Sequence, residues 1–213
     1  SRWRRRALSV WVEQRLEDVG GESLGGDMKG IVLALAACVV VQAATISFEG
    51  LPASSTLSGA PENPASILTT QSNGQGIVFG RAGESAGVSV TTGEAGLSGD
   101  QGALGLDVNG LVPATASGDV HFYFVVPGTL TPAATNNISF LLGDAGGDLD
   151  EWLVHVYDIA GALMFSFPSS TISVGNTSFG VAGMHRFWIE NTSAHTSGYA
   201  IDDIIFNTPV GEG

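Results

Sequence analysis

The sequence predicts an all-β fold, an antiparallel β-sandwich of jelly-roll type, on three observations. Short apolar segments recur at intervals of about eight to twelve residues with Gly-, Pro-, Asn- or Asp-containing turns between them. Thirty of the 213 residues are glycine and only 14% are charged, a composition that favours strands and turns over helical bundles. After residue 44 no segment shows the 3.6-residue apolar period of an amphipathic helix. A hydrophobic content of 44% is enough to build a core, so a folded domain is expected.

Taken in order, Ile46 to Phe48 reads as a first strand and Leu51 to Pro64 as a loop rich in Pro, Ser and Gly. Ile77 to Phe79 is a short apolar strand, and Gly80 to Asp107 contains Gly turns around Val88-Ser89-Val90 and Leu104 to Leu106. Asp119 to Val126 is the clearest strand, with Val120, Phe122, Phe124 and Val126 alternating against His121, Tyr123 and Val125 until Pro127-Gly128 stops it. Asn137 to Leu142 and Glu151 to Tyr157 follow, then a hairpin turn at Asp158 to Gly161 into Ala162 to Phe167. Ser178 to Val181 is expected at an edge, His185 to Glu190 as a strand, Asn191 to Ser197 as a polar loop and Tyr199 to Phe206 as the last strand.

Four segments organise the chain: an N-terminal extension over 1–27, a secretory leader over 28–44, the sandwich domain over 45–208 and a short tail over 209–213. The leader is expected because Met28-Lys29 opens an apolar run from Ile31 to Val41 that ends in Gln42-Ala43-Ala44, the charged, apolar and small-residue order of an export signal. The run is shorter than the roughly twenty residues that span a bilayer. Two other readings stay open there. Leu35-Ala36-Ala37-Cys38 fits a lipoprotein box that would acylate Cys38, and Ile31 to Val41 can also be a buried element. The expected destination is secreted, periplasmic or cell-surface.

From Ala44 onward sixteen acidic residues face two basic ones, Arg81 and Arg186, with no lysine. Such a surface repels phosphate backbones and anionic headgroups, which argues against nucleic acid and membrane surfaces as partners. The sole cysteine, Cys38, lies in the leader, so neither disulfides nor thiolate metal ligands are expected in the domain.

The last strand, Tyr199 to Phe206, carries Asp202 and Asp203 between apolar neighbours. Simple alternation puts Asp202 on the face of Ile204 and Phe206, and Asp203 on that of Ile201 and Ile205, so one carboxylate has to approach an apolar layer. A buried carboxylate needs a partner. Calcium, which takes six to eight oxygen ligands, is a candidate, with Glu49 completing the set if the terminal strands are neighbours. The alternative is that one Asp is exposed and the other accepts backbone N–H groups. A second acidic cluster, Asp144, Asp148, Asp150 and Glu151 beside Gly146-Gly147, reads first as a solvated turn and second as another cation site; its spacing is not that of a helix-loop-helix calcium loop. A glycosidase would need two of these acids about 5–10 Å apart across a sugar, which acids on one short loop seldom achieve. The four histidines have no metal-ligand spacing, and neither a nucleophile elbow nor a phosphate loop is present. Trp152, Tyr157, Trp188 and Tyr199 are candidates for stacking on sugar rings, although their apolar strand neighbours favour core packing.

Ile46-Ser-Phe-Glu-Gly-Leu-Pro, Gly143 to Asp150 followed by Trp152 to Gly161, and Gly198-Tyr-Ala-Ile-Asp-Asp-Ile-Ile-Phe together resemble exported bacterial proteins that often carry a PEP-CTERM sorting tail. The Ile-Asp-Asp ending is also similar to galactose-binding-like jelly rolls and carbohydrate-binding modules. The resemblance implies a jelly roll with a structural calcium near the terminal strands, here at Glu49 and Asp202 or Asp203. The residues after Phe206 contain no Pro-Glu-Pro motif, apolar span or basic end, so anchoring by that route is not expected. The function expected from all of this is a non-catalytic domain that binds carbohydrate or a matrix polymer; the alternatives are a structural envelope or biofilm matrix protein without a specific ligand, and a secreted glycan hydrolase.

Overall fold

Twelve strands carry almost all the regular structure of the computed structural model, which describes residues 42–92, 99–113, 118–143, 149–193 and 199–211. They are β1 (Ala43–Ile46), β2 (Ile67–Leu68), β3 (Ile77–Phe79), β4 (Gly87–Thr92), β5 (Gln101–Leu106), β6 (Val120–Phe124), β7 (Ile138–Gly143), β8 (Asp150–Tyr157), β9 (Leu163–Thr171), β10 (Val174–Phe179), β11 (Arg186–Asn191) and β12 (Ala200–Asn207). Two single-turn 3-10 helices, Pro64–Ser66 and Asn73–Gln75, flank β2. The first expected strand begins earlier than predicted, at Ala43, and the expected edge strand at 178–181 is instead β10, ending at Phe179. The leader up to residue 41, Cys38 included, lies outside the described residues.

Seven strands form one antiparallel sheet, ordered β10-β7-β12-β5-β4-β2 with β1 also paired to β12; five form the other, ordered β3-β6-β11-β8-β9. This is the predicted all-β sandwich. Alternation builds its core: Val120, Phe122 and Phe124 on β6, Trp152, Val154 and Val156 on β8, and Phe187 and Ile189 on β11 are all buried. Phe122 sits at the centre, its ring stacked on Phe187 at 5.0 Å and edge-on to Phe79, Phe124 and Phe140.

The simple alternation fails at the acidic pair of β12, and a bulge is the reason. Ile201 and Asp202 pair with Leu142 and Leu141, whereas Ile205 and Phe206 pair with Ser139 and Ile138, so β12 holds one residue more than β7 across this stretch. Asp203 is in the left-handed region at φ 44°, a conformation that Asp tolerates better than most side chains. The extra residue resets the parity. Ile201, Ile204 and Phe206 all join the main core, while Asp202 shares its row with Leu141 on the far side of the sheet. The bulge also marks a change of neighbour: β5 pairs with β12 at Ile201, and β1 takes over from Ile204 to Asn207.

Gly105 explains why a glycine-rich segment serves as β5. Its backbone bridges to Gly118, and a Cβ at Gly105 would collide with the carbonyls of Gly118 and Asp119. The chain leading into β6 therefore lies directly on β5. Gly105→Ala is expected to cost about 3 kcal/mol, the upper end for overpacking. Gly180→Ala, where a Cβ meets nothing within 4 Å, should be near neutral. Thermal melts of the two variants check the pair.

Candidate functional site

The close approach of β5 to the start of β6 leaves a cleft of about 420 Å³, lined by Glu84, Leu106, Asp107, Pro113, Gly118, Asp119, Asn191 and Ser193. Each polar wall is held by hydrogen bonds or an ion pair. Asp107 closes a turn, accepting from the N–H groups of Asn109 at 2.8 Å and Leu111 at 2.9 Å. Those bonds, that of Leu111 foremost, hold its carboxyl below the usual carboxylate range, so it is ionised at neutral pH. Ser193 Oγ accepts from the Glu151 N–H at 2.7 Å, and its own N–H donates to Asn191 Oδ1 at 2.9 Å. Glu84 is exposed and paired with Arg81 at 2.6 Å.

Asp119 joins this cleft to the outer face of the five-stranded sheet. Its carboxylate accepts from Trp188 Nε1 at 2.8 Å and from the Asn191 N–H at 3.1 Å. Trp188 in turn stands between two imidazoles from the neighbouring strands, His121 at 5.8 Å and 8° and His155 at 4.4 Å and 24°. His155 is fixed further by Ser166 Oγ at 2.9 Å and Glu190 Oε2 at 3.0 Å. One row along, the Arg186 guanidinium lies 3.5 Å from the Tyr157 ring centre.

Of the four aromatic candidates, two follow the core-packing expectation. Trp152 and Tyr199 are buried in the core, 5.7 Å apart, with the Tyr199 hydroxyl donating to the Ile189 carbonyl at 3.0 Å. Burial pushes that hydroxyl well above its ordinary pKa, and the charges of Asp119, Asp150 and Glu190 add to the effect. Trp188 is flanked on both ring faces, and Tyr157 is capped on one by Arg186. The aromatic row is therefore a support that positions Asp119, and the cleft is the accessible feature.

The acidic candidates are also redistributed. Glu49 is exposed and its Oε1 accepts the Gln101 N–H at 2.9 Å. Asp202 is completely buried and Asp203 half-buried at the bulge. Asp150 is not on a solvated turn: it opens β8 on the inward-facing row of Trp152 and has no exposed surface, which bars it from touching a glycan. Asp144 and Asp148 lie outside the described residues. Among the described residues no group of three or more His, Cys, Asp or Glu is placed to hold a metal ion.

His121 carries a pH signature. Only 3% of its surface is exposed, and burial pulls its pKa below the ordinary value of about 6.5 despite the raising influence of Asp119 and Glu84; Arg81 and Arg186 also lower it. The folded state thus prefers neutral His121. Its contribution to stability is complete above about pH 6.5 and is lost as pH falls through the depressed folded value. The melting temperature should fall on acidification below about 6.5, with a shallower slope in His121→Gln.

Sequence reasoning missed the cleft because its walls come from residues 84 to 193, which alternation cannot bring together. One local signal existed: Asp107-Val-Asn-Gly110 is a turn in which an Asp side chain captures backbone N–H groups two and four residues on.

The chain matches no protein-family model and no curated protein. Among solved structures it is similar to the CBM22-1 xylan-binding domain of Xyn10C from Paenibacillus barcinonensis, at 16% identity and a TM-score of 0.39, over 76% of this chain and 99% of that one. Among the described residues no helix is long and apolar enough to cross a membrane.

Proposed function

We propose that the domain is a non-catalytic glycan-binding module that holds a neutral polysaccharide in the cleft between Glu84 and Ser193. The carrying observation is the cleft itself: carboxylates of Glu84, Asp107 and Asp119 with Asn191 and Ser193 stand around the partly exposed ring of Pro113. Sugar hydroxyls are donors in closely spaced pairs and suit carboxylate and amide acceptors, while the C–H face of a pyranose suits the proline ring. An anionic polymer finds no counter-charge, since Arg81 is paired with Glu84 and Arg186 covers Tyr157. The reading places the domain outside the cytoplasm, in line with the leader-like segment before it.

A glycan array and affinity electrophoresis on neutral and acidic polysaccharides test the reading. Retention by at least one neutral polymer and by no acidic one is expected. If no glycan binds, the structural-matrix alternative replaces it.

Calcium enters the proposal as a stabiliser near the junction of β1, β5 and β12, where Glu49 is exposed and Asp203 half-buried. An ion bound only by the folded state raises the melting temperature by mass action. A higher midpoint in calcium than in chelator is expected, and superimposable melts remove calcium from the proposal.

A further inference from the structure

We infer that His121 is a proton switch behind the cleft: when its imidazole takes up a proton it draws the Glu84 carboxylate out of the cleft wall, and glycan binding weakens. The inference rests on the reading of that cleft as the glycan site. His121 is buried, and its Nδ1 has no hydrogen-bond partner. Glu84 Oε2 stands 3.8 Å from that nitrogen, beyond hydrogen-bond reach by a distance that a small side-chain rotation closes. Glu84 lines the cleft and is exposed, so its carboxylate is free to turn. The segment that carries it is tied to His121 as well, since the Gly80 N–H donates to the His121 carbonyl at 2.7 Å and Ser85 bridges back to Arg81.

The groups around the ring set the direction of the effect. At neutral pH the imidazole is uncharged, because burial disfavours the imidazolium. Glu84 is then paired with Arg81 Nη1 at 2.6 Å, and a carboxylate has about four acceptor sites, which leaves room for sugar hydroxyls. Protonation makes Nδ1 a charged donor whichever tautomer preceded it, and Glu84 Oε2 is the carboxylate oxygen beside it. Asp119, two residues back, is already committed to Trp188 Nε1 and the Asn191 N–H. Arg81 and Arg186 are cations, His155 lies on the far side of Trp188, and β3 carries no titratable side chain. A Glu84 carboxylate shared by Arg81 and an imidazolium accepts fewer hydroxyls.

The test is affinity electrophoresis of the full chain across pH, with the best-retained member of a panel of β-glucan, galactomannan and hydroxyethylcellulose. Circular dichroism at each pH confirms the folded state. Retention should fall on acidification by at least about fivefold, the lower end of ordinary coupling between sites. The fall should centre on the pH at which the His121 ring itself titrates, read from its imidazole NMR signals. His121→Gln and Glu84→Gln should each show no fall across that midpoint. In the protein without glycan, Glu84→Gln should move the His121 midpoint downward, because the lost carboxylate favoured the imidazolium. A flat profile in the parent chain, a fall that persists in Glu84→Gln, or an unmoved His121 midpoint in that variant overturns the inference. Absence of retention at every pH removes the glycan reading and the inference with it. The titration without glycan tells that case from a missing coupling between His121 and Glu84.

Discussion

Phe122→Ala should lower the stability of the domain by about 3–5 kcal/mol, the range for removing a buried aromatic ring. Phe122 has no exposed surface and its ring meets four others, Phe79, Phe124, Phe140 and Phe187, within 6.3 Å. These partners come from β3, β6, β7 and β11, hence from both sheets, so no single strand can shift to fill the space. Part of the loss is transfer free energy, and part is the cavity left when the surrounding rings relax only partially. For a domain of this size each kcal/mol moves the melting temperature by about 2–4 °C, so a fall of roughly 6–20 °C is expected. Phe122→Leu keeps most of the volume and should recover over half of it. A drop below about 1 kcal/mol in the alanine variant would mean that the two sheets do not share this core.

The strands on either side of Phe122 were legible because their alternation is local. β6 and β8 repeat apolar and polar residues with a period of two, and the buried rows at Val120, Phe122 and Phe124 and at Trp152, Val154 and Val156 follow it. Where structure depends on partners distant in sequence, the local pattern misleads. Asp202 is on the opposite face from Ile204 and Phe206 because β12 changes its neighbour from β5 to β1 at a bulge, and no residue near Asp202 encodes where β5 ends. Gln101–Leu106 reads as turns because glycine is rare in strands, yet Gly105 is needed for the passage of Gly118. Asp150 looked like a solvated acid because Gly146 and Gly147 precede it, but it starts a strand whose inward row it shares with Trp152. The cleft was invisible for the same reason, since Glu84, Asp107, Asp119 and Ser193 meet only once both sheets are assembled.

Asp119→Ala should weaken glycan binding by more than tenfold, a loss of at least about 1.4 kcal/mol, and should also destabilise the fold by about 2–3 kcal/mol. Two donors depend on this one carboxylate, Trp188 Nε1–H and the Asn191 N–H, and both are in partly buried surroundings where water replaces the acceptor poorly. The indole then loses the bond that holds it between His121 and His155, and the Asn191–Ser193 wall loses the tie that fixes its distance from β6. Affinity and stability should therefore fall together, with the melting temperature lower by about 5–10 °C. Glu84→Gln separates the two effects. Glu84 lines the same cleft but is exposed, and its ion pair with Arg81 at the surface contributes little to folding. It should reduce glycan affinity at an unchanged melting temperature. If Asp119→Ala binds as well as the parent chain after its melting temperature has fallen, the cleft is not the binding site, because the wall that moves is the one the sugar would touch.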